Sequence, residues 1–193
     1  MHGSSGRREM CVMRWVEGRY RQNDVKTTLS IMFNEKCAYC ESEIGVVDYG
    51  HIEHFRPKNK FPERIFLWNN LLLACTKCNS VEFKGAKFPA KQEGGPLVNP
   101  CVDDPAKHFA FQYNVKTKEA RVVPLTERGE VTEKLLGLNR SKLLAARSDR
   151  LRMLMYIRAK AEDDNEAKDL IKKVLSSKAP YMAFVGKYIE PLK

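Results

Sequence analysis

Nothing in these 193 residues approaches the run of roughly 18 apolar residues that a membrane-spanning helix requires, so a helical membrane protein is not expected. The opening stretch MHGSSG has no apolar h-region, which argues against a secretory signal and against a disulfide-stapled secreted domain. A cytoplasmic location is the expectation. A GxxxxGKS/T phosphate loop is also missing, so ATP hydrolysis is not expected of this chain. Acidic residues are in deficit: 24 Asp plus Glu face 34 Lys plus Arg, a net charge of +10. That balance favours a polyanionic partner, nucleic acid ahead of an acidic membrane surface. Aromatics are sparse at 9%, yet 43% hydrophobic residues suffice to bury a core and exclude wholesale disorder.

What is there begins with six cysteines. Cys37 and Cys40 form one C-x2-C pair (CAYC), Cys75 and Cys78 a second (CTKC), while Cys11 and Cys101 stand alone. Two such knuckles in a chain without a secretion signal point to one tetrahedral Zn2+ site, because two intervening residues let both thiolates of a pair face one soft cation. Buried core thiols would explain a single pair, and a second pair leaves that explanation little room. The 34 residues between the knuckles exceed a simple zinc ribbon, so a small subdomain must lie between them. Cys11 and Cys101 read as core or loop thiols.

Residues 7–35 predict helix in two pieces broken near Gln22-Asn23-Asp24, the second carrying Val25, Leu29, Met32 and Phe33 at helical spacing with Asn23 or Asp24 as N-cap. Residues 44–55 contain a short extended run with Asp48-Tyr49-Gly50 as its turn, ended by Arg56-Pro57. An apolar stretch, FLWNNLLLAC, leads into the second knuckle, and a helix is expected to begin near Cys78 or Asn79. Residues 85–107 read as irregular chain rich in Gly and Pro. FAFQY and ARVVP flanking NVKTKE signal a hairpin. From Asn139 the pattern is helical: Asn139 caps a helix to Lys160 with Leu143, Leu144, Leu151, Leu154 and Met155 on one arc, a further helix lies between Asn165 and Pro180, and a last one spans residues 181–189.

Between the knuckles lie HIEHFRPK (His51 to Lys58) and WNNLLLACTKCN (Trp68 to Asn79). A carboxylate, a histidine and a later amide can hold a hard divalent cation against a phosphate. A histidine left uncoordinated beside it can take a proton from water at neutral pH. The pattern C-x2-C, Glu-His, Asn-Leu, C-x2-C-Asn resembles the HNH, or ββα-metal, endonucleases that carry a zinc-knuckle frame, over roughly residues 36–85. More narrowly, IEHFRPK, the W-x-N-L-x3-C-x2-C-N run, the PLVNP and DDP segment from Pro96 to Pro105, and GLNR (Gly137 to Arg140) resemble the retron-associated and Septu-type antiphage HNH nucleases, over about residues 25–150.

The resemblance implies an α+β fold: a ββα-metal core framed by a four-cysteine zinc site, with N-terminal helices and a helical C-terminal region. It implies His54 as the general base, Glu53 in the place usually held by a metal-binding Asp, Asn79 as the last metal ligand, and Asn70 as the residue that braces the loop and orients the base. Glu53 and Asn79 offer oxygen ligands, so the catalytic metal is expected to be Mg2+ or Mn2+ beside the structural Zn2+. Glu is one methylene longer than Asp, which displaces or loosens the metal. On a regular strand Glu53 and His54 face opposite ways, and the pair is expected at the strand end, where pleating lapses. His51 is either an extra ligand or a surface histidine. His108 is read as structural.

Arg56, Lys58 and Lys60, just after His54, are candidate phosphate contacts, with Lys84 and Lys87 adding to that surface. The stretch Arg140 to Lys160 carries seven basic residues and only Asp149, which suits either a backbone-binding surface or a solvated face. Arg147 falls in its apolar arc and is expected to pair with a buried carboxylate. The organisation predicted is an N-terminal helical segment (1–36), a nuclease core (37–90), an irregular segment with hairpin (91–130) and a helical region (131–193). The leading function is metal-dependent hydrolysis of nucleic-acid phosphodiester bonds, DNA favoured, by the nuclease effector of an antiphage system working with an ATPase partner. The alternatives are an RNA- or tRNA-cleaving nuclease and an inactive zinc-stabilised nucleic-acid-binding module.

Overall fold

A computed structural model describes residues 22–45, 48–175 and 178–189, in an α+β arrangement. The helical piece expected over residues 7–21, with His2 and Cys11, lies outside the described residues. Helix α1 (Gln22–Met32) buries Val25, Leu29 and Met32 on one face, and Phe33 follows them into the core. Asp24 lies inside its first turn rather than outside it as a cap, where a carboxylate still faces the positive helix end. Asn34 and Glu35 then take positive φ values of 53° and 56°, turning the chain sharply into the first knuckle.

Strands β1 (His51–His54) and β2 (Leu71–Ala74) pair antiparallel, His51 opposite Ala74 and His54 opposite Leu71. Every residue of β2 is buried, since α1 packs on this small sheet. The helix expected to begin near Cys78 is instead a single turn, α2 (Thr76–Asn79), which ends there. It is capped by the Cys75 thiol, which accepts from the Cys78 N–H. What stops it is the inward course of residues 80–85: the Lys84 N–H bonds the Cys78 carbonyl at 3.2 Å, and Gly85 turns at φ +43°.

Hairpin β3 (Phe109–Asn114) and β4 (Glu119–Pro124) forms where FAFQY and ARVVP predict it, with Asn114 Oδ1 accepting from the Lys116 and Thr117 N–H groups in the turn. Helix α3 (Glu127–Leu136) lies ahead of the helix read from Asn139; Thr126 caps its start and Gly137, at φ +55°, its end. Helices α4 (Ser141–Lys160), α5 (Asn165–Val174, capped by Asp164) and α6 (Met182–Tyr188) follow. Leu143, Leu144, Leu151 and Leu154 are buried on α4, whereas Met155 is exposed, one step off the contact arc.

A two-stranded sheet leaves both edges unpaired, and here side chains satisfy them. Asn139 does not cap α4. Its amide spans the edge of β4 instead, accepting from the Val122 N–H (2.9 Å) and donating to the Val122 carbonyl (2.7 Å). Two residues earlier on that edge, Ser148 Oγ accepts from the Ala120 N–H and Arg147 donates to the Ala120 carbonyl. Arg147 therefore has no carboxylate partner among the described residues. It is buried between two backbone carbonyls, those of Ala120 and Leu138, with its guanidinium 5.5 Å from the Phe184 ring centre. Tyr188 and Lys187 of α6 close the β3 edge through the Phe111 carbonyl.

Candidate active site and metal centre

The four knuckle cysteines converge. Their sulfurs all lie within 4.8 Å of one another, and all four are buried. Cys40 and Cys75 Sγ are 3.9 Å apart. A regular tetrahedron with metal–sulfur bonds of about 2.3 Å has edges of about 3.8 Å, so this donor set fits a zinc site. The first knuckle is held by the Lys36–Glu43 bridge and by the Ala38 N–H, which bonds the Leu73 carbonyl of β2 at 2.8 Å. The second is contacted by Arg140, the last residue of GLNR: Nη2 lies 3.7 Å from Cys78 Sγ, and Nη1 bonds the Leu136 and Gly137 carbonyls. Among the described residues no other group of three His, Cys, Asp or Glu side chains is close enough to hold a metal.

At the end of β1 the pleat stays regular through His54, and the two neighbours diverge as strand alternation dictates. Glu53 is 4% exposed. Its Oε1 is ion-paired with Lys84 Nζ and accepts from the Tyr39 hydroxyl at 3.3 Å. Burial raises the Glu53 carboxyl and lowers the Lys84 ammonium, and each is pulled back toward its charged form by the other. His54 is half-buried, and its Nε2 donates to the Ile65 carbonyl at 3.1 Å. A carbonyl only accepts, so the ring proton sits on Nε2. Burial holds the imidazole below its ordinary pKa, and although the Ile65 carbonyl pulls the other way, the Lys58 and Lys84 charges reinforce the lowering. The neutral ring then presents an Nδ1 lone pair that has no hydrogen-bond partner among the described residues.

Asn70 is buried beneath the loop that follows. Its Oδ1 accepts from the Arg56 N–H (2.8 Å), and its Nδ2 donates to the carbonyls of Arg56 (3.1 Å) and Arg64 (3.0 Å). The two ends of the loop are thereby stapled to one amide. Lys58 and Lys60 project from it into solvent, and the Arg56 guanidinium lies 5.4 Å from the Phe61 and 5.1 Å from the Phe88 ring centres. Asn79 is half-buried at the end of α2, its side chain without a hydrogen-bond partner among the described residues.

One expected position needs correction. Lys84 is not on the phosphate-binding surface: it is 0% exposed, drawn inward by Glu53. His51 is exposed, the surface position that is one of its two readings. Its Nε2 bonds Thr76 Oγ1 at 2.9 Å, and Thr76 in turn donates to Asp48. The long basic helix is also less of a surface than its composition suggests, because Arg147 is buried and Arg150 donates to the Val174 carbonyl. Tyr39 was not singled out from the sequence, though a hydroxyl inside a C-x2-C pair was a usable signal. The Ile65 carbonyl, a backbone group, left none.

Residues 37–83 match the HNH endonuclease family. The chain is similar to Septu protein PtuB of Bacillus mycoides (strain KBAB4), 36% identical over 67% of this chain and 51% of that protein, and to Septu protein PtuB of Bacillus thuringiensis, 36% identical over 60% and 41%. It is also similar to the candidate HNH endonuclease of retron Vc95 from Vibrio cholerae serotype O1 biovar El Tor, 26% identical over 69% of this chain and 66% of that protein. The chain thus spans about half, or less, of the length of the two PtuB relatives. No helix among the described residues is long and apolar enough to cross a membrane. The matched stretch runs from the first knuckle cysteine to the residue before Lys84, so the segment that holds the four knuckle cysteines, Glu53, His54, Asn70 and Asn79 is an HNH endonuclease domain.

Proposed function

We propose that this chain hydrolyses nucleic-acid phosphodiester bonds, DNA in preference to RNA, with a structural Zn2+ on Cys37, Cys40, Cys75 and Cys78 and a catalytic Mg2+ or Mn2+ on Glu53 and Asn79. The observation that carries the reading is the state of His54: its Nε2 proton is committed to the Ile65 carbonyl, and its Nδ1 is left free as an acceptor. His54 Nδ1 takes the proton of the attacking water. Asn70 keeps the Arg56–Arg64 loop at a fixed distance from β1, and so holds the carbonyl of Ile65 beside the base. Lys58, Lys60 and the ring-flanked Arg56 bind the backbone on either side of the scissile bond without reading bases. The oxygen donors of Glu53 and Asn79 suit a hard cation, which when bound supplies charge stabilisation to the scissile phosphate and the departing 3′ oxygen.

The similarity to Septu and retron proteins supports a role as the nuclease of a cytoplasmic antiphage defence system. An ATPase partner belongs to the same reading, docked by the helices after residue 130. The test is nicking of supercoiled plasmid, with structured RNA in parallel, by wild type and His54→Ala at equal zinc content in Mg2+ or Mn2+. Wild type is expected to nick plasmid, and the variant to lose about 10²–10⁴ in rate. Equal cleavage by both proteins overturns the role of His54. No cleavage by wild type, alone and with the ATPase, overturns the function.

A further inference from the structure

The site contains a buried cation that the hydrolysis does not use. Lys84 is completely enclosed, and its Nζ has three acceptors for its three protons: Glu53 Oε1, the His54 carbonyl at 3.0 Å and the Gly85 carbonyl at 3.3 Å. One side chain thus grips the carboxylate of Glu53 and the backbone of His54 together. The Tyr39 hydroxyl donates to the same Oε1. Lys84 is itself held in place, because its N–H bonds the Cys78 carbonyl and the next residue, Gly85, turns at a positive φ of 43° that disfavours a side chain, with an added Cβ in tight contact 3.1 Å from Val81 Cα.

The charge arithmetic follows. In the free protein the negative charge of Glu53 is already balanced by Lys84, and Asn79 is neutral. A divalent cation on Glu53 and Asn79 therefore enters a site whose only anionic ligand is shared with an ammonium ion, at short range and away from bulk water, where like charges repel strongly. The missing negative charge is that of the scissile phosphate. We propose that Lys84 makes the divalent cation and the nucleic-acid phosphate bind synergistically, so that the free protein holds the cation weakly and the hydrolytic site is complete only on its substrate. This rests on Glu53 being a cation ligand, as proposed above. Lys84 is a positioning residue in this scheme, and it touches neither water nor substrate.

The test is calorimetric titration of Mn2+ into the zinc-loaded full chain carrying His54→Ala, which prevents cleavage, with and without a short DNA duplex. Mn2+ affinity is expected to rise about tenfold or more with the duplex, and duplex affinity to rise by the same factor with Mn2+. Adding Lys84→Gln, which keeps a donor toward the His54 carbonyl, is expected to tighten Mn2+ binding to the free protein and shrink the coupling. Lys84→Met serves if the Gln variant fails to retain zinc and circular dichroism. Equal Mn2+ affinity with and without duplex overturns the proposal whether or not either variant folds. So does coupling of unchanged size in a folded neutral variant. Glu53→Gln separates the two ideas: Mn2+ binding that survives it removes the ligand reading, whereas tight, uncoupled binding that depends on Glu53 removes only the role of Lys84.

Discussion

Replacing Gly137 with Ala probes the joint between the GLNR segment and the second knuckle. Gly137 ends α3 at φ +55°, a left-handed conformation that costs an L-residue about 1–2 kcal/mol. An added Cβ would lie 2.2 Å from Phe83 Cε1 and 2.9 Å from Cδ1, so the ring must move. That ring lies 5.1 Å from the Arg140 guanidinium, and Arg140 reaches Cys78 Sγ, so displacement disturbs the knuckle as well. Overpacking of this kind costs about 1–3 kcal/mol, for a total of about 2–5 kcal/mol. In a Phe83→Ala background the clash is gone and only the backbone cost of about 1–2 kcal/mol remains. Urea denaturation of the four zinc-loaded proteins closes the double-mutant cycle, with an expected coupling of about 1–3 kcal/mol. Gly137→Ala costing the same in both backgrounds would refute the steric argument. A cost below about 1 kcal/mol in wild type would refute the conformational one as well.

Cys75→Ser is expected to lose zinc and the cooperative unfolding transition, while Cys101→Ser, buried but outside the cluster, keeps both; zinc quantification with circular dichroism checks this. Asn70→Ala removes three hydrogen bonds from a buried amide and strands the Arg56 N–H, at an expected cost of about 2–4 kcal/mol in denaturant titration, and a loss under about 1 kcal/mol would contradict the stapling of the loop. Burial alone would raise the Asp103 carboxyl, but the Arg128 guanidinium and the Asn99 N–H outweigh it and hold the group below its ordinary value. Its contribution to stability is present above the unfolded value of about 3.9 and is lost as pH falls through the lower folded one. The stability difference between wild type and Asp103→Asn should therefore shrink below about pH 4 in denaturant titrations, and a difference constant down to about pH 3 would refute the pairing.

Much of the core could be read because its signals are short-range. Two C-x2-C pairs, the Glu-His step and the Asn-Leu step each lie within a few residues, and their geometry follows from local backbone. The hairpin was legible for the same reason, its turn being marked by Asn114 and the strands by alternating β-branched and aromatic residues. Expectations failed where a polar side chain had a choice of distant partners. Asn139 was a sound N-cap by local rules, but the unpaired edge of Val122 offered it two hydrogen bonds at once. Arg147 found backbone carbonyls rather than a carboxylate, because the exposed edge of a two-stranded sheet supplies acceptors that a hydrophobicity pattern cannot register.

Lys84 is the clearest case. By sequence it is one more lysine beside a basic loop, five residues past Asn79, and nothing local distinguishes it from Lys87, which is exposed and bonds the Glu82 carbonyl. The amino-acid sequence alone marked the four thiols that converge, the Glu53–His54 step on one short strand and the resemblance to HNH nucleases, since residue type and spacing suffice for those. Only the tertiary fold decided which cation is buried against Glu53, which nitrogen of His54 is committed, and that GLNR closes on the second knuckle. Those outcomes depend on desolvation, and a residue's share of water is set by everything packed around it, not by its neighbours in the chain.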